Sequence, residues 1–171
     1  MSNKIINTQV IWGEKAWQFR VDDVVLPNGK ETQQSYIDHP GSVLVVPMLD
    51  ENTVVMIRQY RHGLDKVIWE LPAGSRDYEN EPWLDCAQRE LMEEAGYRAE
   101  RFTELGDIWL APGMANEVLR IYLAEGLSAD SLPADLDEQI EVVPMPLSDA
   151  LDLVKKGEIK DAKTIIALSR V

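Results

Sequence analysis

Glu90, Glu93 and Glu94 fall within five positions of Arg89-Glu90-Leu91-Met92-Glu93-Glu94-Ala95-Gly96-Tyr97. Glu90 and Glu94 are four apart, so on a helix they stand one turn above each other on a single face. Like charges at that spacing weaken a helix by ~0.2–0.5 kcal/mol. A chain that keeps them is expected to set something positive between them. Carboxylates sharing one face suit a hard, oxygen-seeking cation such as Mg²⁺ or Mn²⁺. The bland alternative is a solvated acidic face, the commoner reading of a Glu-rich helix taken alone.

The segment that must position these carboxylates reads as a helix. Leu84, Ala87 or Gln88, Leu91 and Ala95 recur every three or four residues and form one expected apolar face. Gly96 stops the helix, because glycine tolerates the left-handed conformation just past a helix end. Upstream, strands are expected over 4–12 and 15–24 with a turn at Gly13-Glu14. A tight turn follows at Leu26 to Lys30, then a strand over Gln33 to Asp38. Ser42–Leu49 and Thr53–Gln59 are β-rich and read as a hairpin closed at Asp50-Glu51-Asn52, and Val67–Leu71 leads into Pro72-Ala73-Gly74. Downstream, strands are expected over Phe102–Leu110, Val118–Leu123 and Ile140–Met145, around a loop at Ala111-Pro112-Gly113-Met114. Asp130–Gln139 reads as polar loop. Ser148 is the expected N-cap of a helix ending at Gly157, with Ala150, Leu151 and Val154 inward, and Ala162–Leu168 forms a last helix. Many strands with few helices point to an α+β domain.

At 171 residues the chain can enclose a full core. No apolar run approaches the ~20 residues that span a bilayer, and the N-terminal stretch lacks a secretory apolar block. Cys86 is the single cysteine and so makes no internal disulfide. It is expected to be a small packed residue, and a reducing cytoplasm fits these features. The net charge of −13 argues against binding nucleic acid or an anionic membrane. An acidic protein also repels a nucleotide at long range, so a nucleotide site needs local arginines and bound cations to reverse the field.

The stretch from Gly74 to Tyr97 resembles the signature box of the Nudix hydrolase family: Gly, five residues, Glu, seven residues, then Arg-Glu-aliphatic-any-Glu-Glu-any-Gly-aliphatic. From Glu81 onward the match is complete apart from Tyr97 at the final aliphatic place. Six residues rather than five separate Gly74 from Glu81, which reads as a one-residue insertion in the loop. Gln59-Tyr60-Arg61, Trp69-Glu70-Leu71-Pro72-Ala73-Gly74, Ala111 to Glu117, and Gly157 to Thr164 resemble the branch that cleaves ADP-ribose and nucleoside diphosphate sugars. The resemblance covers residues 42–171. It implies the Nudix α/β/α sandwich over 41–171, a mixed sheet between helices. Residues 1–40 are then a strand-rich N-terminal β extension, expected to pair with a second copy in a homodimer.

The resemblance also implies roles. Glu90, Glu94 and the carbonyl of Ala73 become metal ligands for Mg²⁺ or Mn²⁺. Glu93 is a further ligand or a catalytic neighbour. Arg89 ties the loop to the helix. Glu138 is the expected general base and an extra metal ligand, with Glu141 and Glu117 as alternatives. Arg61 is expected on the diphosphate, with Arg58, Glu70, Met114 and Glu117 as further substrate contacts. His62 and His39 receive no role, and Trp12 and Trp17 are expected to pack in the core. The implied reaction is hydrolysis of the diphosphate linkage in a nucleoside diphosphate sugar. ADP-ribose, giving AMP and ribose 5-phosphate, comes first and GDP-mannose next. A dinucleoside polyphosphate or nucleoside triphosphate hydrolase of the same family, and a module that binds ADP-ribose without cleaving it, are the rivals.

Overall fold

The computed structural model describes residues 2–14, 17–77, 80–133 and 139–171. In chain order the strands are β1 (Lys4–Glu14), β2 (Trp17–Val25), β3 (Glu31–Asp38), β4 (Ser42–Pro47), β5 (Thr53–Arg61), β6 (Lys66–Glu70) and β7 (Ala73–Ser75). Helix α1 (Trp83–Glu90) runs on into a wide π-type turn over Leu91–Ala95. Then come β8 (Tyr97–Arg98), β9 (Arg101–Trp109), β10 (Val118–Glu125), β11 (Ser128–Ala129), β12 (Ile140–Pro146), α2 (Leu147–Lys155) and α3 (Ala162–Leu168).

Every residue of β4 is buried. A strand apolar on both faces needs cover on both faces, and alternate side chains of β4 divide accordingly. Leu44 and Val46 join Met56, Leu119, Ile121, Ala150, Ala167 and Leu168 in one cluster, which takes in α2 and α3. Val43 and Val45 join Cys86, Ala87, Leu91 and Ala95 in another, on the side of α1. β4 lies centrally in the order β7-β4-β10-β9, parallel to β10 and antiparallel to β7. A second sheet runs β12-β5-β6, and β8 pairs with β11. This is the expected α+β sandwich of mixed sheet and helices. β1, β2 and β3 form a separate antiparallel sheet.

Several local expectations are corrected. Gly13 and Glu14 are not a turn: they extend β1 and pair with Gln18 and Trp17. The β4–β5 hairpin closes only at its base, through the Met48–Val54 bridge and the amide of Leu49 bonded to the Thr53 carbonyl at 2.9 Å. Beyond it the strands part into different sheets, because each apolar run is covered on both sides by different partners. Leu84 is 48% exposed and not part of the inward face, while Cys86 is buried there instead. Ser148 is not an N-cap: α2 begins at Leu147 after Pro146 and has no side-chain cap. α3 keeps its expected bounds, with Asp161 as N-cap accepting from the Thr164 amide at 3.1 Å. Trp12 is not in the core either. It lies half exposed on β1, its ring 4.9 Å from that of Trp17.

Candidate active site

The box carboxylates are gathered where the α1 turn meets β7. Glu81, Glu90 and Glu94 are all buried, and buried carboxylates need hydrogen bonds and positive charge around them. Oε2 of Glu94 accepts the backbone amide of Ala73 at 2.8 Å. The Glu90 carboxylate sits so close to Gly74 that any side chain at 74 would overlap it. Two acidic side chains are thus pressed on the backbone of Ala73-Gly74 from the same helical segment.

Arg89 is the cation of this cluster. Its Nη1 donates to Glu90 Oε1 at 2.7 Å and to Glu93 Oε2 at 3.0 Å. Its Nε donates to Glu81 Oε1 at 3.2 Å, and its Nη2 to the Ser75 carbonyl at 3.1 Å. Burial lowers the Arg89 pKa, but Glu81 and Glu90 outweigh it and hold the guanidinium firmly protonated. Burial raises that of Glu81, and the bonds from Arg89 and the Asp77 amide more than cancel it, leaving the carboxyl below its usual range. Arg89 therefore ties β7, the Ser75–Glu81 loop and the helix together. Despite the extra residue in that loop, Glu81 reaches Arg89. Arg76 helps: its Nε donates to the Glu81 carbonyl at 2.7 Å, its Nη1 to the Pro40 carbonyl at 2.8 Å, and its guanidinium stacks 4.5 Å from Trp83.

A cleft of about 490 Å³ opens beside β7, lined by Gly74, Ser75, Ser42, Arg61, Glu117 and Lys163 among others. Arg61 is held by Glu70 through two bonds, Nε to Oε1 at 2.9 Å and Nη2 to Oε2 at 2.5 Å. Glu70 is 1% exposed and also accepts from Lys163 Nζ at 3.2 Å, so its carboxylate orients two cations at the cleft. Lys163 reaches Asp161 as well, at 3.0 Å. Glu117 lines the cleft and accepts from Ser42 Oγ at 2.5 Å.

Other expected residues lie elsewhere. Arg58 pairs with Glu141 at 3.0 Å on neighbouring strands and stacks 5.3 Å from Trp69, away from the residues lining the cleft. Met114 is 65% exposed and borders a separate hollow of about 630 Å³ between β3 and the Pro112–Asn116 loop. Glu138 lies outside the described residues. His62 is exposed in a short 3-10 turn. The sequence reading missed Lys163, Asp161, Ser42, Ser75 and His39. Their one legible signal was the position of Asp161, Lys163 and Thr164 in the tail resemblance.

His39 Nε2 lies 3.0 Å from Ser75 Oγ, and its Nδ1 accepts the Gly41 amide at 3.1 Å. Burial lowers its pKa, against the opposing charges of Glu117 and Asp38, so the ring is held neutral.

The donor set at β7 fits a divalent cation. Buried carboxylates bear on the carbonyl-bearing strand beside the cleft, and hard oxygen donors are what Mg²⁺ and Mn²⁺ take. Among the described residues no three Asp, Glu, His or Cys side chains form a ready cage. Two carboxylates with a backbone carbonyl leave room for waters and substrate oxygens, as Mg²⁺ sites commonly do.

Residues 38–168 match the family model described as the NUDIX domain. The chain is 39% identical to the methanol dehydrogenase activator of Bacillus methanolicus over 167 residues, which are 96% of this chain and 90% of that one. It is 39% identical to the ADP-ribose pyrophosphatase of Bacillus subtilis over 170 residues, 98% and 91% of the two chains. Among solved structures, a crystal structure of an ADP compounds hydrolase superposes with a TM-score of 0.83 at 24% identity, covering 99% of this chain and 92% of that one.

Proposed function

The chain belongs to the Nudix hydrolase family, and we propose that it cleaves the diphosphate linkage of nucleoside diphosphate sugars, ADP-ribose first and GDP-mannose next. The observation that carries this reading is the pressing of Glu90 and Glu94 against Ala73-Gly74 at the edge of a cleft furnished with Arg61 and Lys163. The likeness to an ADP-ribose pyrophosphatase over nearly the whole chain supports the substrate class.

Glu90, Glu94 and the Ala73 carbonyl would hold Mg²⁺ or Mn²⁺, with Glu93 beside them. When bound, the ion supplies positive charge against the phosphoryl oxygens and a polarised water. The chain's own residues do the rest. Arg61, aimed by Glu70, presents a planar cation suited to paired phosphate oxygens. Lys163 adds a point charge on the same wall. Glu138 is the proposed general base that takes the proton of the attacking water. Glu93 is the second candidate, held by Arg89 at 3.0 Å. Local cations set by buried carboxylates answer the long-range repulsion from a net charge of −13.

The first 40 residues form the proposed extension, and a second copy is its proposed partner. Ile5, Ile6, Val10, Ile11 and Trp12 on β1 are each more than half exposed, and apolar area of that kind marks an association surface. No described helix is long and apolar enough to cross a membrane. A cytoplasmic setting is our proposal, in keeping with a buried thiol at Cys86 that burial and the Glu90 and Glu81 charges hold protonated. The deciding experiment incubates the protein with Mg²⁺ and, separately, ADP-ribose, GDP-mannose, UDP-glucose, a diadenosine polyphosphate and GTP. Release of AMP and ribose 5-phosphate from ADP-ribose is expected. Preference for the polyphosphate or GTP would overturn the reading.

A further inference from the structure

Two serines, Ser42 and Ser75, stand opposite each other in the register of β4 and β7, and both line the cleft. Their hydroxyls are in different states. Ser42 Oγ donates to Glu117 Oε1 at 2.5 Å, so its one proton is committed. Ser75 Oγ has His39 Nε2 as its partner among the described residues, at 3.0 Å. Which of these two donates is decided on the far side of the ring. The Gly41 amide donates to Nδ1 at 3.1 Å, so Nδ1 is an acceptor and carries no proton. A neutral imidazole has one N–H, and here it lies on Nε2. Nε2–H therefore donates to Ser75 Oγ, and the Ser75 proton must point elsewhere.

The ring that imposes this is itself fixed. The His39 amide donates to Asn116 Oδ1 at 2.8 Å, and Asn116 Nδ2 donates to Asp38 Oδ1 at 2.6 Å. The amide of Ile37 also bonds the Met114 carbonyl at 2.8 Å. The end of β3, the loop after β9 and the end of β7 thus meet at one imidazole. Gly74, Arg61 and Lys163 share the cleft with Ser75, so a hydroxyl proton released from His39 faces a wall built for anions.

We infer that Ser75 is a substrate-binding residue whose hydroxyl donates to a non-bridging phosphoryl oxygen of the diphosphate, and that His39 is a positioning residue that sets the direction of that donor. The inference rests on the nucleotide-sugar reading given above.

The test measures KM and kcat with Mg²⁺ on every substrate of the panel that the wild type cleaves, for Ser75→Ala, His39→Leu, His39→Gln and the Ser75→Ala/His39→Leu double variant. Ser75→Ala is expected to raise KM about tenfold, the size of one hydrogen bond to a charged oxygen, with kcat within about twofold. The rise should be alike for all sugars and bases, since the diphosphate is common to them. His39→Leu should raise KM by a similar factor, and the double variant should be no worse than Ser75→Ala. His39→Gln keeps an N–H donor and should recover most of the loss, which a merely structural histidine would not predict. Should His39→Leu fail to fold, Ser75→Ala and His39→Gln still decide. An unchanged KM in Ser75→Ala overturns the inference, as does a rise confined to one sugar. A further rise on adding His39→Leu to Ser75→Ala overturns the positioning role. Cleavage by the wild type with an unaffected Ser75→Ala sinks this inference alone, while no cleavage of any nucleotide sugar sinks the reading beneath it.

Discussion

The amide of Ala73 bonds to Oε2 of Glu94 at 2.8 Å, joining residues 21 positions apart. This bond aligns the strand carbonyl with the carboxylate proposed to share a cation with it. Glu94→Gln keeps an acceptor for the amide and removes the charge. Its melting temperature should stay within a few degrees of wild type, while kcat falls by more than about 100-fold, beyond the usual cost of losing an outer partner of a metal ligand. Steady-state kinetics beside a thermal melt checks both halves, and full activity with Mg²⁺ would remove Glu94 from the site.

Gly74→Ala tests the close approach from the other side. The new methyl would overlap the Glu90 carboxylate, which Arg89 holds at 2.7 Å. The carboxylate is the end of a flexible chain, so the fold should survive by moving it. The Mg²⁺ concentration giving half-maximal rate should then rise by about tenfold or more. A Mg²⁺ titration of the rate that matches wild type would show that Glu90 has no fixed task there.

Glu70→Gln addresses the wall of the cleft. The carboxylate is buried and serves both Arg61 and Lys163. Neutralising it weakens two charge-assisted bonds, and a loss of roughly 2–3 kcal/mol in unfolding free energy is expected. KM should rise as well, because Arg61 loses its aim. Urea denaturation together with KM measurement separates the two effects, and an unaltered midpoint would mean that the pairs are dispensable.

His39 makes stability depend on pH. Its folded pKa lies below the ordinary 6.5, through burial, although Glu117 and Asp38 pull the other way. Above 6.5 neither state is protonated and the residue adds no slope. As pH falls below 6.5 the unfolded chain takes up a proton that the folded chain resists, so stability declines until the folded pKa is passed. Thermal melts between about pH 7.5 and pH 5 should show this decline in wild type and a flatter profile in His39→Gln. Parallel profiles would place the pH dependence elsewhere.

Ile11→Glu puts a charge on the open apolar strand β1. If a second copy covers that strand, light scattering at micromolar concentration should report a dimer for wild type and a monomer for the variant. A monomeric wild type would end that proposal.

The spacing of Arg89, Glu90, Glu93, Glu94 and Gly96 was enough to foresee the helix, its stop and the gathering of carboxylates, because all of these are set within a few turns of chain. Helix α3 was legible for the same reason, with Asp161 and the periodic apolar residues supplying both ends. The cleft wall was not. Ser42, Ser75, Glu117 and Lys163 come from distant segments that only strand pairing brings together. Leu84 was misplaced because apolar periodicity was carried unbroken through a segment whose winding changes. Trp12 was misplaced because an aromatic residue reads as core wherever it falls, while β1 lies at the edge of a sheet of its own.

That change of winding at Leu91–Ala95 has a consequence for how the chain tolerates length variation. The Gly96 amide reaches back to the Leu91 carbonyl, one residue farther than an ordinary turn allows. Removing a single residue between them would let the coil tighten to regular pitch and rotate whatever follows by about 100° relative to what precedes. Glu90 and Ala73 would then keep their places while the Glu94 side swung off the strand. Insertions are absorbed harmlessly before Glu81, but a one-residue deletion here would disarm the cation site without unfolding the domain.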